Sequence, residues 1–370
     1  MSKFVCPYCL SDYNIKEVKY YCPTCKYDET KPKRSESLPP KCQNYRMKCT
    51  GVASDRKCPK CERSIPDDVL RTPNLPFSIV GVPSAGKTAY ITVMLHQLRL
   101  MGNIFNLSLS HQDKPTMNHQ TELRKMIYED LQPPLATNRG AIMPQIWKIT
   151  NKARRAKNGH PAYTFTIFDG AGEDHLEEID VSSTVARYIS TSEAIILILD
   201  PLTISGVRTT GLVDQKVMQD SLGGDMGETA YAQDIINDIA RYIRAMNPKK
   251  YRSGNFINIP VAVVMSKFDT VWNHHAFADG LVKNPNITFS KGKINMNEID
   301  QVHQEIIDWL DLIGESDLVS TLEANFPIYK FFGVSSYGSP PKDVGTLNKP
   351  DPHRVLDPLL WLFKNMKFID

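Results

Sequence analysis

The sequence predicts an α/β body, a mostly parallel sheet with helices on both faces, preceded by a small cysteine-rich head. Three observations predict it. From residue 76 onward, short apolar runs alternate with segments of helical periodicity. A glycine-rich loop joins the first of those runs to the first helical segment. All eight cysteines lie between Cys6 and Cys61, and none occurs in the following 309 residues.

The bulk numbers fit that division. A chain of 370 residues is long enough for one large domain and a small one. With 41% hydrophobic and 23% charged residues it has the composition of a globular protein. No apolar run approaches the roughly 20 residues that span a bilayer, and Met-Ser-Lys-Phe-Val-Cys has no signal-peptide core. The expectation is a cytoplasmic protein with no membrane partner. Residues 1–75 hold 15 basic and 9 acidic side chains, so a mildly basic head precedes a mildly acidic body.

In the head, Cys6-Pro-Tyr-Cys9, Cys22-Pro-Thr-Cys25 and Cys58-Pro-Lys-Cys61 repeat one spacing, and Cys42 and Cys49 form a looser pair. Two residues between thiolates let one turn aim both sulfurs at one ion. Two such turns make a four-thiolate site typical of structural zinc. Proline inside the turn also occurs in iron–thiolate sites, so iron is the alternative metal. Chain order assigns Cys6, Cys9, Cys22 and Cys25 to one ion, and Cys42, Cys49, Cys58 and Cys61 to a second. "YNIKEVKYY" between the first two turns alternates enough for a hairpin. The head, residues 1–63, resembles a double zinc ribbon, and residues 64–75 read as the linker to the body, 76–370.

Phe77 to Val80 read as a buried strand, and Ile91, Met94, Leu95 and Leu98 mark a helix. Between them, Gly81-Val82-Pro83-Ser84-Ala85-Gly86-Lys87-Thr88 matches the phosphate-binding loop G-x-x-x-x-G-K-[ST] in full. Glycines let the backbone wrap an anion, and the N–H groups of Ser84 to Ala89 point inward at a helix N-terminus. Lys87 would reach the β- and γ-phosphates, and Thr88 would ligate Mg²⁺.

"IWKIT" (146–150) and the apolar stretch ending at Asp169 flank Asn158-Gly159, a hairpin-turn signal. The second strand runs into Asp169-Gly-Ala-Gly172, an Asp-x-x-Gly motif. Further apolar runs are "EAIILILDP" (193–201), Val261–Met265 and "PIYKFFGVSSYG" (327–338). Ser266-Lys267-Phe268-Asp269 follows the second of these and Ser335-Ser336 lies in the third. In a parallel sheet all these strand ends gather on one side, where ligands bind.

Four motifs in this order, each ending an apolar run, resemble a P-loop GTPase of the translation-factor and Ras-like (TRAFAC) class. Extra segments lie at 102–135, 201–228 and 272–298. The resemblance implies GTP, GDP and Mg²⁺ as ligands. It places Asp169 near the Mg²⁺, Gly172 against the γ-phosphate, and the guanine between Lys267 and Asp269, with Ser266 standing where the family usually has Asn. Ser335 and Ser336 match the last element, in which a backbone N–H meets the guanine oxygen. Thr137 is the candidate switch threonine. Glu173 stands where many relatives place the glutamine that orients the attacking water, which implies slow intrinsic GTP hydrolysis. The head joined to such a body is similar to bacterial double-GTPases of conflict and phage-defence loci. That likeness implies a molecular switch with a protein partner, a second GTPase or an effector encoded nearby. Two other readings stay open: a zinc-ribbon ATPase that binds nucleic acid through its basic head, and a non-hydrolysing scaffold that holds GTP.

Overall fold

In the computed structural model the described residues are 3–27, 30, 39–82, 84–135, 144–154, 161–169, 184–210, 213, 232–251, 255–285, 293–341 and 345–369. The body is a seven-stranded sheet: β5 (Asn74–Gly81), β6 (Leu107–His111), β7 (Pro144–Asn151), β8 (Ala162–Asp169), β9 (Ala194–Leu199), β10 (Val261–Met265) and β11 (Tyr329–Gly333). Its spatial order is β11-β10-β9-β5-β8-β7-β6. The five strands from β11 to β8 run parallel, while β7 and then β6 pair antiparallel. Every residue of β9 and β10 is buried, which is why both read as unbroken apolar runs.

Side-chain alternation along β5 sorts the helices into two layers. Phe77 meets Phe363 of α9 (Asp357–Asn365) edge-on, with ring centroids 6.1 Å apart. Ser78 points the other way and shares a 2.7 Å hydrogen bond with Ser192, just past α4 (Thr184–Thr191). Helix α2 (Lys87–Met101) lies in the layer of α9. On the other side α6 (Ala232–Met246) packs against α4, and α8 (Ser316–Asn325) packs against α6. Between them in sequence, α7 (Met296–Leu312) runs along edge strand β11, where His303 Nδ1 accepts the Phe331 N–H at 3.1 Å. That contact covers an edge that would otherwise offer a free ladder group.

The sequence reading located these elements with small errors. β5 begins at Asn74 rather than Phe77, so its first residues take the place of the linker's end, and α1 (Asp67–Arg71) occupies its middle. Pro76 is tolerated in a central strand because β9 joins β5 only from Phe77 onward. The expected extra segment at 102–135 holds β6 and α3 (Lys114–Tyr128), which extend the sheet beyond β7. A short α5 (Ser205–Thr209) follows β9.

The head corrects the cysteine assignment. The two four-thiol groups are Cys6, Cys9, Cys58 and Cys61, and Cys22, Cys25, Cys42 and Cys49. They are nested, not consecutive. The expected hairpin between Cys9 and Cys22 does not form: β2 (Asp12–Asn14) pairs with β1 (Lys3–Val5), and β3 (Lys19–Tyr21) pairs with β4 (Asp55–Lys57). The chain leaves the first ribbon after β2 and builds the second between β3 and β4. In the β3–β4 register Lys57 faces Lys19, so Cys58 returns to the place the chain had left.

Candidate functional site

The phosphate loop links central strand β5 to α2. Gly81 ends β5 where a Cβ would stand 2.2 Å from the Ile198 carbonyl oxygen of β9, so only glycine lets the strands approach. Ser84 and Gly86 are left-handed, with φ of 58° and 73°, and Gly86 is the N-cap of α2. Ala85 and Ala89 are buried beneath the loop and Thr88 is half-buried. Lys87 is buried, and its Nζ donates to the carbonyls of Gly81 (3.1 Å) and Val82 (3.0 Å). The ammonium therefore lies across the loop's own backbone. A cation there, with a helix N-terminus and two left-handed turns, fits a polyphosphate. Asp169 ends β8 in register with Ile79 of β5, two residues before Gly81. Thr137, Gly172 and Glu173 lie outside the described residues.

The candidate base-reading loop lies two strands away at the end of β10. Ser266 sends both its N–H (2.8 Å) and its Oγ–H (3.1 Å) to the Leu199 carbonyl, tying the loop to the end of β9. Lys267 is left-handed, with φ of 47°, and its Nζ lies 2.7 Å from Asp200 Oδ2. Asp200 is only 1% exposed, and its other oxygen accepts the Leu202 N–H. Asp269 is 9% exposed. Burial pushes its carboxyl above the usual range, against a hydrogen bond from the Ser335 hydroxyl and the nearby Lys267. Phe268 N–H donates to Val334 O and Val334 N–H to Met265 O, so the loops after β10 and β11 are stitched together. Ser335 in turn exchanges backbone hydrogen bonds with His353. Ser336 is half-buried beside it.

The described strand ends thus bring together Gly81, Val82, Ser84 to Ala89, the backbone of Asp169, Ser266 to Asp269 and Ser335. Sequence reasoning missed Asp200 and His353. Asp200 carried a signal, since a carboxylate that closes a wholly apolar strand is a buried charge in need of a partner. His353 carried none, because a loop brings it in from just before α9.

The thiol groups meet a second requirement of the sequence reading. Four zinc–sulfur bonds of about 2.3 Å make a tetrahedron with edges of about 3.8 Å. Cys6–Cys61 and Cys9–Cys58 are 3.9 and 3.8 Å apart, and Cys22–Cys49 and Cys25–Cys42 are 3.9 and 3.4 Å apart. Backbone N–H groups of Lys60, Asn44 and Gly51 donate to the sulfurs of Cys58, Cys42 and Cys49. The donor sets fit two thiophilic ions.

No family model matches the chain. It is 23% identical over 331 residues, covering 82% of this chain and 78% of the other, to SaeC of Mycolicibacterium smegmatis, whose name gives it a proposed role as an ESX-1 scaffolding and assembly protein. Among solved structures, it is similar to the LeoA bacterial dynamin GTPase from ETEC (TM-score 0.32, 13% identity, 81% of this chain). It is also similar to the GTP-bound GTPase-like domain of S. cerevisiae Ski7 (TM-score 0.33, 14% identity, 72% of this chain). The chain spans 34% of the LeoA chain and 43% of the Ski7 chain. At such TM-scores the architecture rests on the strand order described above.

Proposed function

We propose that this chain is a guanine-nucleotide-binding protein whose nucleotide state sets the surface it offers to a protein partner. One observation carries the reading. Asp269, on the same edge of the sheet as the phosphate loop, is a buried carboxylate backed by Ser335 and flanked by an anchored Lys267. A guanine edge offers two donors to such a carboxylate. Adenine offers no matching pair and would leave it unpaired, at roughly 1–3 kcal/mol.

In this reading Ser84 to Ala89 hold the phosphates, and Lys87 turns from its own loop carbonyls to the ligand. Thr88 and Asp169 would hold Mg²⁺, which supplies charge neutralisation between the phosphates when bound. The eight cysteines would hold two structural zinc ions. The family resemblance would set Glu173, a carboxylate, where relatives carry glutamine, so intrinsic hydrolysis is slow and a partner that supplies an arginine raises it, with Thr137 the candidate switch threonine. The name of the curated relative supports scaffolding or assembly as the setting. It also favours the second reading, a scaffold that holds GTP without hydrolysing it. A bacterial conflict-system role is carried by the resemblance of head and body, and the neighbouring genes test it.

Competition against a fluorescent GTP analogue is the decisive experiment. GTP and GDP should displace it, and ATP should need about 5- to 150-fold more, the ratio that 1–3 kcal/mol corresponds to, while Lys87→Ala abolishes tight binding. Asp269→Asn should move preference toward xanthine nucleotides. If ATP competes as well as GTP, the guanine reading is lost and the nucleic-acid ATPase returns. Phosphate release with and without partners separates switch from static scaffold.

A further inference from the structure

The three Cys-Pro-x-Cys turns share one geometry. In each, the residue after the second cysteine is left-handed and donates its N–H to the first cysteine's carbonyl: Leu10, Lys26 and Glu62, with φ of 56°, 61° and 59°. Lys26 and Glu62 are exposed, as a tip residue of a small metal turn should be. Leu10 is buried, 3% exposed.

What buries it is the body. Leu10 forms one apolar cluster with Phe168 and Tyr188, and Val5 packs against it. Phe168 is the last residue of β8 before Asp169, and Tyr188 lies on α4, the next described element. The two rings are tilted 41° to each other with centroids 3.7 Å apart. The Tyr188 hydroxyl accepts the Phe168 N–H and donates to the Thr166 carbonyl, both at 3.1 Å, so α4 is pinned to the end of β8. The metal turn therefore packs on the end of β8, next to Asp169, and on α4. Two further contacts fix the head there. Tyr8 OH donates to Asp113 Oδ2 at 2.9 Å, and Ile146 of β7 belongs to the head's apolar cluster around Cys6 and Cys58.

We propose that Leu10 is a positioning residue for the end of β8 that carries Asp169, and that the Cys6/Cys9/Cys58/Cys61 metal site and the triphosphate end of the nucleotide site are thermodynamically coupled through it. The inference rests on the nucleotide reading above and names a regulation of that site. A metal-locked turn presents Leu10 in one place. A nucleotide that shifts the end of β8 or α4 must then move the turn or be resisted by it. Linkage makes the effect reciprocal: metal in this site favours one nucleotide state, and that state holds the metal more tightly. The head reports the nucleotide, and its second metal site, with Tyr45 80% and Met47 67% exposed, lies on the chain beyond the docked ribbon.

The experiment uses the full zinc-loaded chain. Leu10→Ala should weaken GTP·Mg²⁺ binding at least about fivefold, the low end of measured couplings. GDP affinity should stay within about twofold and metal content at two ions. Leu10→Met, which keeps the volume, should restore GTP affinity. In the wild type, GTP·Mg²⁺ should slow release to a chelator of one zinc equivalent and leave the other unchanged. Equal loss of GTP and GDP affinity in Leu10→Ala, or zinc release indifferent to nucleotide, overturns the coupling while leaving the nucleotide site intact. A wild type that binds neither guanine nor adenine nucleotides overturns both.

Discussion

The nested cysteine arrangement can be tested at a single residue. Replace Cys58 by serine. In chain-order pairing Cys58 serves the same ion as Cys42 and Cys49. In the structure its sulfur lies 3.8 Å from that of Cys9, and Cys6, Cys9 and Cys61 complete the group. A structural zinc site binds with roughly 10–16 kcal/mol at neutral pH. Dividing that over four thiolates, loss of one removes about 2.5–4 kcal/mol, or roughly two to three decades of affinity. A chelator that leaves the wild type loaded should then strip one ion from Cys58→Ser and not the other. Alkylation followed by peptide mapping reads the outcome. Cys6, Cys9 and Cys61 should label together, while Cys22, Cys25, Cys42 and Cys49 stay protected. Labelling of Cys42, Cys49 and Cys61, with Cys6, Cys9, Cys22 and Cys25 protected, would refute the nested arrangement.

Three other perturbations follow from the geometry. Gly81→Ala puts a Cβ 2.2 Å from the Ile198 carbonyl between two central strands that cannot part without breaking their ladder. Overpacking of this kind costs about 1–3 kcal/mol, so a thermal melt should fall by roughly 2–12 °C. Gly86→Ala meets open space and costs only its left-handed strain, about 1 kcal/mol. Asp200→Asn keeps an acceptor for the Leu202 N–H but leaves Lys267 without its carboxylate. Because Lys267 is 28% exposed, the loss should fall below the 3–5 kcal/mol of a fully buried broken pair, at about 1–2, with GDP release faster in stopped flow. Burial lowers His303 from 6.5 to about 4, and its Nδ1 must stay unprotonated to accept the Phe331 N–H. The unfolded chain takes up the proton first, so stability is full above pH 6.5 and falls as pH drops toward 4, by at most about 3 kcal/mol. His303→Asn should flatten that part of a denaturant-midpoint profile; an unchanged slope would show that other groups cause it.

The body was legible because its chemistry sits at strand ends. Gly81, Asp169 and Ser266 each close or follow an apolar run, so hydrophobicity placed the strands and the motifs placed the loops. Edge strand β6 was not legible. In "LSLSH" only Leu107 is buried, and Ser110 and His111 are exposed, so the segment has neither the unbroken apolar run of β9 nor a clear alternation. The thiol partners were illegible for another reason. A Cys-Pro-x-Cys turn is locally self-sufficient and fits any second turn. The choice is made by the pairing of Lys19–Tyr21 with Asp55–Lys57, more than thirty residues apart, and spacing does not encode it.

The end of β9 joins the two halves of the candidate site. Its Ile198 carbonyl sets how close the phosphate loop can come at Gly81. The next carbonyl, Leu199, takes two hydrogen bonds from Ser266, and the residue after that, Asp200, holds Lys267. Three successive residues thus fix the phosphate loop on one side and the base loop on the other. Strands lie about 4.8 Å apart, so β5 and β10, flanking β9, hold their loops roughly 10 Å from each other. A free phosphate or pyrophosphate would fill only the first loop and leave the buried Asp269 unused. A ligand that satisfies both must carry its charge at one end and a flat donor-bearing ring at the other, with a spacer between. That geometry, more than the phosphate loop alone, argues for a nucleoside polyphosphate. It also makes Asp200, which no motif names, the residue on which the spacing of the two ends depends.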